Sequence, residues 1–399
     1  MHDSIYEPAE DSILLAKVVE KYAFGTVLDV GTGSGIQAFT ALKNKRVSSV
    51  TAVDINPAVI EELCFQKRKQ RVAKLTIIQS DLFEKVRGKF DTIIFNPPYL
   101  PQDEGIHNLA LYGGKNGWEI SERFFESVVS HLNRGGIVLF LFSTLTNKVK
   151  IDQILRDRLL GWELVGSTKI SFEELYVYKI TRSSLLVELE ALGIRSISFH
   201  AKGKRGRVYR GFKGTRKVAI KVEQLGSASM ASSVREAQIL SKVNLKKIGA
   251  RLLVKGEGFL VLEFIEGVLF EEWITTHSVE EIVGVVMDLL KQCFVLDTLG
   301  ITKEEMHHPF KHIIISNTVS SVGVVKYVPV LIDFERAHAD LRPQNVTQFV
   351  DYLCRLRERF VRKGLVVDKD ILRGLVASYK KTYARREFDL VLKVIKDFG

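Results

Sequence analysis

The chain has 399 residues, which is too long for one ordinary hydrophobic core and predicts two domains. Its hydrophobic and charged contents, 46% and 26%, are typical of a globular protein in water, and no apolar run approaches the roughly 20 residues that cross a bilayer. The acidic N-terminal segment has no apolar signal core, and the three cysteines (Cys64, Cys293 and Cys354) are far apart. We therefore expect a cytoplasmic protein without a disulfide framework and without membrane contact.

The positive charge of the chain is concentrated in its second half. Residues 1–182 carry a net charge of +1, whereas residues 183–399 carry +10. A basic half favours phosphate-bearing partners, such as nucleotides, RNA or the ribosome. A surface with surplus lysine explains the same charge equally well, so both interpretations stay open.

Strand and helix patterns alternate from residue 26 to residue 100. Strand-like segments such as TVLDV and VTAVDI are each followed by a helical segment, and this rhythm predicts a parallel, doubly wound sheet. A further strand follows in GGIVLFLFS, and a closing strand pair in residues 162–170 and 173–182. The pattern changes at about residues 182–184, so we expect domains at 1–182 and 183–399.

The first strand-to-helix turn, LDVGTGSG, contains Gly31, Gly33 and Gly35. Glycines at such a turn let the backbone approach a ligand, and all three are candidate cofactor-binding residues. A dinucleotide fingerprint would have a third helical glycine, but position 36 is Ile. S-adenosylmethionine (AdoMet) has no phosphate, and Asp29 before the loop suits its ammonium and sulfonium charges.

Two further acids follow the next strands. Asp54 ends the second strand, where a carboxylate can accept both ribose hydroxyls, and Asp81 follows the third strand, where it can accept from an adenine amino group. Each acid could instead cap a helix. Because the carboxyl ends of parallel strands meet at one edge, three acids in this pattern favour a cofactor site there.

The fourth strand stops at NPPY, residues 96–99. We predict that the Asn96 side-chain oxygen and the Pro97 carbonyl accept the two hydrogens of a planar NH2 group, while Tyr99 stacks on its face. Such a grip aligns the nitrogen with a methyl donor, and alignment is most of what methyl transfer needs. A glutamine amide, adenine N6 and guanine N2 all present this group.

These motifs resemble, in order, the HemK/PrmC-type methyltransferases, and most closely their archaeal–eukaryotic branch. The resemblance rests on YEPAEDSILL, DVGTGSG, VDINP, SDLF, NPPYLP and LYGGKNGWEISERF and covers about residues 1–182. It implies a Rossmann-like class I AdoMet methyltransferase that methylates N5 of the GGQ glutamine in a class I peptide release factor. The motif core begins within 30 residues, which leaves no room for a separate N-terminal substrate-binding domain and matches that branch. Members of the branch need a small zinc-ribbon activator subunit, so the resemblance also implies such a partner. The alternative is an RNA or DNA amino-group methyltransferase.

The second half begins with a basic glycine-rich segment. Residues 201–217 contain eight Lys or Arg and no acid. Gly203 and Gly206 precede VAIK, which places Lys221 on a strand, and Glu236 follows in a helical pattern fifteen residues later. This is the arrangement in which a kinase lysine holds ATP phosphates and is positioned by a glutamate. The segment resembles the small atypical kinases of the RIO and KEOPS-associated type, which implies an α+β protein-kinase-like domain.

The expected kinase catalytic residues are incomplete. Asp333 in VLIDFERA is the candidate ligand for Mg2+, but no HRDxxxxN sequence is present. The nearest stretch places Glu305 at the catalytic position, Lys303 at the preceding His position and His312 near the metal-binding Asn. Imidazole is a poor ligand for Mg2+. The sequence therefore favours ATP binding over phosphotransfer. The alternative is a non-catalytic module that recruits the ribosome or release factor.

Overall fold

The computed structural model describes residues 7–102, 111–170, 172–203, 205–223, 230–319, 325–361, 363–364 and 368–397. The chain divides into two compact units, residues 1–194 and 195–399. The division falls twelve residues beyond the change in sequence pattern. The intervening helix is capped by Ser183 and is tied to the preceding strand by an ion pair between Arg182 and Glu190 at 3.2 Å.

The first unit contains six helices and seven strands among its described residues: α1 (Glu10–Tyr22), β1 (Gly25–Val30), α2 (Ile36–Lys43), β2 (Val47–Asp54), α3 (Pro57–Lys69), β3 (Leu75–Gln79), β4 (Phe90–Phe95), α4 (Glu119–His131), β5 (Leu132–Ser143), α5 (Lys148–Asp157), β6 (Leu160–Ile170), β7 (Glu173–Arg182) and α6 (Ser184–Ala191).

The strands of the first unit form one sheet in the order β3-β2-β1-β4-β5-β7-β6. Strands β1 to β5 are parallel, and β6 and β7 form an antiparallel pair at one edge. The predicted doubly wound sheet and its closing pair are therefore confirmed. The strand order reverses between β1 and β4, and the crevice at such a reversal is where these folds bind ligands.

Local sequence explains how the helices begin. In α3, the Asn56 side chain accepts from the backbone N–H of Ala58, and Pro57 occupies the first helical position. Three basic residues in the last turn, at positions 67–69, complement the helix dipole. Val27, Ile94 and Leu139, on neighbouring strands, are buried in one hydrophobic cluster. Their burial fixes the pairing register of the strands, and this register brings the strand ends together.

The second unit contains the remaining elements: β8 (Ile194–Lys202), β9 (Gly206–Lys213), β10 (Arg216–Glu223), α7 (Met230–Asn244), β11 (Leu252–Lys255), β12 (Phe259–Glu263), β13 (Val268–Leu269), α8 (Phe270–Thr276), α9 (Val279–Thr298), β14 (Ile301–Thr302), β15 (Ile313–Val319), β16 (Val325–Leu331), β17 (His338–Ala339), α10 (Asn345–Arg355), α11 (Arg357–Val361), α12 (Lys369–Thr382) and α13 (Arg385–Lys396).

Strands β8 to β12 form a five-stranded sheet in the order β11-β12-β10-β9-β8, with β10 antiparallel to both of its neighbours. Helix α7 is the one helix between these strands in the part of the unit that the structure describes. The rest of the unit is mainly helical and contains two small sheets. Its long helix α9 starts with a capping box, in which Ser278 and Glu281 each accept from the other's backbone N–H.

Among the described residues, no helix is both long enough and apolar enough to cross a membrane.

Candidate active site

A cavity of about 520 Å3 opens at the carboxyl ends of β1, β2 and β4. This volume is in the range of small-molecule sites. The predicted residues that line it are Asp29, Gly31, Gly33, Asp54, Asp81, Asn96, Pro97 and Tyr99. The parallel register explains the convergence, because Val30 on β1 pairs with Phe95 on β4 and the following residues leave the sheet side by side.

Gly35, also predicted to bind the cofactor, is not among the residues that line this cavity. Its φ is +81°, and a Cβ there would lie 2.5 Å from a methyl carbon of Leu63 and 3.0 Å from the Phe39 ring. The position therefore requires glycine because α2 begins in a left-handed conformation against packed side chains.

Asp29 is the most deeply buried of the three acids, with 1% of its surface exposed. One carboxylate oxygen accepts from the Thr32 hydroxyl at 2.6 Å and from the Ala38 backbone N–H at 3.0 Å. Desolvation nevertheless outweighs these bonds and raises the pKa of Asp29 to about 7. The site therefore holds a carboxyl whose charge changes near neutral pH.

Asp54 and Asp81 are held by different parts of the chain. Asp54 accepts from the backbone N–H of Gly33 at 3.0 Å and from that of Asn56 at 2.9 Å, which fixes the glycine loop against the end of β2. Asp81 pairs with Arg123 on α4 at 2.8 Å. Sequence reasoning missed Arg123, since 42 residues separate it from its partner and no spacing rule connects them.

The two ends of the Asn96 side chain differ in their hydrogen bonding. Its Nδ2 donates to Oδ2 of Asp11 at 2.9 Å, whereas its Oδ1 is buried and has no hydrogen-bond partner among the residues that the structure describes. Asp11 lies in the first turn of α1 and is 4% exposed. Asp11 belongs to the YEPAEDSILL motif of the family resemblance, but sequence reasoning assigns no physical role to this residue.

The residues around the cavity fit AdoMet. The glycine loop has positive φ at Gly31 and Gly33, which allows close approach of a ligand to the backbone. Four aspartates, Asp11, Asp29, Asp54 and Asp81, line the cavity together with one arginine, Arg123, so the lining is mainly acidic, as suits a cationic cofactor that lacks phosphate. Oε1 of Gln37, a second cavity-lining amide, is buried and has no hydrogen-bond partner within the described ranges, so it is an acceptor that a bound ligand can satisfy.

The second unit brings three predicted residues together. Nζ of Lys221 on β10 lies 2.7 Å from Oε1 of Glu236 on α7 and 2.9 Å from Oδ1 of Asp333. Glu236 is 3% exposed, and the backbone of Asp333 has a left-handed φ of +61°. Burial opposes ionisation of Asp333, but the charge of Lys221 and its hydrogen bond outweigh that and lower the pKa of Asp333 to about 2.

A second ion pair lies beside the first. Lys303 is fully buried, its Nζ lies 3.1 Å from Oε2 of Glu305, and it also donates to the backbone carbonyl of Asp333. Desolvation lowers the pKa of Lys303. His312 is near the same aspartate, with Nδ1 3.7 Å from Oδ2. The two predicted catalytic acids, Glu305 and Asp333, are thus each paired with a lysine of the chain itself.

These groups do not fit a divalent-metal site. Within the described parts of the chain, no three His, Cys, Asp or Glu side chains are grouped so that they could hold an ion. The carboxylate of Asp333 is already bonded to Lys221, and the neighbouring His312 offers an imidazole, which Mg2+ disfavours. We therefore derive no chemistry through Mg2+ in this unit.

In the glycine-rich segment, Gly203 follows the end of β8 and Gly206 is the first residue of β9. The backbone N–H of Gly203 donates to the carbonyl of Gly206 at 2.9 Å. Arg205 reaches Glu335, two residues beyond Asp333, with Nη1 and Oε1 2.6 Å apart. Lys204, one of the eight basic residues, lies outside the described residues.

Comparison with known proteins assigns the first unit. Residues 9–170 match the family described as Methyltransferase small domain. A Methanocaldococcus jannaschii protein, assigned by its name to the protein N5-glutamine methyltransferases, is 40% identical over 187 residues, which are 46% of this chain and 94% of that protein. The release factor glutamine methyltransferase of Streptococcus pneumoniae is 32% identical over 28% of this chain and 43% of its own length.

A solved structure also resembles this unit. The E. cuniculi Mtq2–Trm112 complex, described as responsible for methylation of the translation termination factor eRF1, is 26% identical, with a TM-score of 0.36 over 45% of this chain and 98% of that one. The sequence relatives carry the assignment. Through its first unit the chain belongs to the HemK/PrmC-type protein N5-glutamine methyltransferases, which use AdoMet.

Proposed function

We propose that the first unit methylates N5 of the glutamine in the GGQ motif of a class I peptide release factor. The observation that carries the proposal is the Asn96 amide, which lines the cavity with its Nδ2 bonded to Asp11 and its Oδ1 without a partner in the described part of the chain. A buried acceptor without a partner is costly, and a donor on the bound substrate removes that cost. The names of the M. jannaschii and S. pneumoniae relatives support glutamine and a release factor as substrate.

The chain's part in the reaction is to bind and orient two reactants. Oδ1 of Asn96 and the carbonyl of Pro97 accept the two hydrogens of the glutamine amide, and Tyr99 packs against its face. Because both hydrogens of the amide are held, the nitrogen is fixed in one orientation toward the methyl donor. This alignment is the main requirement of an in-line displacement. When bound, AdoMet supplies the methyl group on a positively charged sulfur. Asp54 is assigned to its ribose and Asp81 to its adenine.

Labelling with tritiated AdoMet tests the substrate. The full chain is incubated side by side with a release factor, its GGQ→GGA variant and bulk RNA. We expect label in the unmodified factor alone. Label confined to RNA would replace the glutamine assignment with the nucleobase alternative, because adenine N6 and guanine N2 suit the same acceptors.

A small zinc-ribbon activator subunit is part of this proposal, on the strength of the resemblance to the archaeal–eukaryotic branch. The labelling is therefore run with and without such a subunit. We expect turnover to rise in its presence, and full activity of the chain alone would remove this partner from the proposal.

We propose, as a second function, that the second unit binds a nucleotide through Lys221. The observation that favours it is the junction of a strand lysine, a helix glutamate and Asp333 beside a glycine-containing hairpin, which resembles the ATP site of atypical kinases. Because each acid there already has a cation, we propose binding without phosphotransfer. The basic sequence of residues 201–217 supports a rival proposal, since it suits RNA or the ribosome equally well.

Titration with ATP at constant salt separates these two possibilities. If Lys221 holds phosphates, Lys221→Ala abolishes ATP binding. If the basic residues bind RNA instead, binding falls steeply with salt and survives the substitution.

A further inference from the structure

The orientation of the Asn96 amide decides which of its ends meets a substrate. An asparagine side chain presents a donor at Nδ2 and an acceptor at Oδ1, and the two ends have nearly the same shape. Sterics alone therefore select neither orientation. Only the orientation that leaves Oδ1 for the ligand can accept an N–H from a planar amino group.

Asp11 selects one of the two orientations of the Asn96 amide. Its Oδ2 lies 2.9 Å from Nδ2 of Asn96, and a carboxylate in this position is an acceptor only. The opposite orientation would place Oδ1 of Asn96 against Oδ2 of Asp11, which loses a charge-assisted hydrogen bond and adds repulsion between two oxygens. Because a hydrogen bond to a charged group is stronger than one between neutral groups, the observed orientation dominates.

Asp11 is itself held firmly. It lies in the first turn of α1, where backbone N–H groups lack helical partners, and its Oδ1 accepts from the N–H of Ser12 at 2.6 Å. The carbonyl of Ser12 in turn accepts from Nε2 of Gln37 on α2 at 2.9 Å. These bonds within α1 and between α1 and α2 therefore fix the Asp11 carboxylate beside Asn96, although the two residues are far apart in sequence.

We infer that Asp11 is a positioning residue for methyl transfer, which orients the Asn96 amide so that Oδ1 accepts from the substrate nitrogen. A carboxylate on Nδ2 also polarises the amide and makes Oδ1 the stronger acceptor. This inference rests on the proposed function, because it assigns Asp11 a part in the grip on the planar NH2 group.

A double-mutant cycle tests the inference. The full chain with its activator subunit is assayed on a release factor as wild type, Asp11→Ala, Asn96→Ala and the double variant, with kcat, KM and AdoMet affinity measured for each. We expect Asp11→Ala to lower kcat by about 10- to 100-fold while AdoMet affinity stays within twofold. In the Asn96→Ala background, we expect the same substitution to change kcat by less than threefold, because there is no amide left to orient.

Two further variants act as controls. Glu10→Ala removes an exposed carboxylate from the same helical turn and should leave kcat unchanged. Asp11→Asn keeps the shape and is expected to lose less activity than Asp11→Ala, because its amide oxygen still accepts from Nδ2. If Asp11→Ala does not fold, the same cycle is run with Asp11→Asn.

The outcomes separate the inference from the proposed function. Equal loss from Asp11→Ala in both backgrounds would show that Asp11 acts through something other than Asn96 and would overturn the inference. A raised AdoMet Kd with unchanged kcat would make Asp11 a cofactor ligand and would also overturn it. Wild-type label in RNA but not in the release factor would overturn the glutamine substrate, while the cycle measured on RNA would still decide the role of Asp11.

Discussion

The cavity of the first unit and the ion-pair cluster of the second unit differ in how the amide oxygens of the one and the charged side chains of the other are paired. In the cavity, two amide oxygens, on Gln37 and Asn96, are buried and have no hydrogen-bond partner among the residues whose positions are described. In the cluster, Lys221 is shared by Glu236 and Asp333, and Lys303 pairs with Glu305. The first arrangement leaves acceptors for a ligand, whereas the second already satisfies its charges within the chain, so a ligand there must displace an existing bond. The difference suits catalysis in one unit and binding or scaffolding in the other.

The largest expected effect is on turnover in the cavity. Asn96→Ala removes the acceptor of the substrate amide and should lower kcat by on the order of 100-fold or more, as the loss of one preorganised polar group does at other active sites. AdoMet affinity should change little, because the cofactor acids are untouched. Parallel measurement of kcat and of AdoMet Kd checks this. An equal loss of both would mean that Asn96 contacts the cofactor instead.

The next effect concerns stability in the ion-pair cluster. Lys221→Met leaves Glu236, whose side chain is 4% exposed, without its cation, and should destabilise the second unit by about 3 kcal/mol. The control is Lys217→Met on the same strand, β10, whose partner Glu266 is exposed. That surface pair should contribute less than about 1 kcal/mol. Urea unfolding of the full chain measures both.

If the two lysine variants lose the same stability, the cluster is not the tightly paired network described above. Its charges would then be available to a ligand much as those of the cavity are. The contrast between the two units would weaken accordingly.

Sequence reasoning was most successful where chemistry follows secondary structure directly. Asp29, Asp54 and Asn96 are predicted to lie at one edge because parallel strands end together, and all three line the cavity. The approach of Lys221 to Glu236 was likewise expected from a strand and the helix that follows it.

The residues that sequence reasoning missed are partners from distant elements. Asp11 reaches Asn96 across 85 positions, and Arg123 reaches Asp81 across 42. No periodicity connects a helix turn to the end of a remote strand, so only the folded packing shows these contacts. Packing also explains Gly35 in the glycine loop. A side chain at this position would collide with Leu63, so glycine is required there by packing and not by the cavity.

The third prediction concerns the pH dependence of stability, through Asp29. The folded pKa of about 7 lies above the ordinary value of 3.8, mainly because the carboxyl is desolvated. Between about pH 4 and pH 7 the folded chain keeps a proton that the unfolded chain has lost. Stability should therefore fall as pH rises through this window, by at most roughly 1.4 kcal/mol per pH unit, and level off above pH 7.

Asp29→Asn cannot titrate and should remove this slope. The free energy of unfolding is measured at several pH values for both proteins, and the difference between them isolates Asp29 from the other titrating groups. Parallel curves would show that the buried carboxyl stays ionised in the folded chain, and the cavity would then resemble the fully charged cluster of the second unit more closely.

The smallest expected effect is at the rim of the cavity, where Asp81 meets Arg123. The two side chains are 30% and 49% exposed, so Arg123→Ala should change stability by less than about 1 kcal/mol. If Asp81 accepts a hydrogen bond from the adenine amino group, Arg123 competes with adenine for its carboxylate. Arg123→Ala should then leave AdoMet affinity unchanged or raise it slightly, whereas Asp81→Asn should lower that affinity about tenfold. Calorimetric titration of AdoMet into both variants distinguishes the two effects. Equal weakening by both substitutions would mean that the ion pair acts as one unit, and that this acid, like Asp333, is committed to a cation of its own chain.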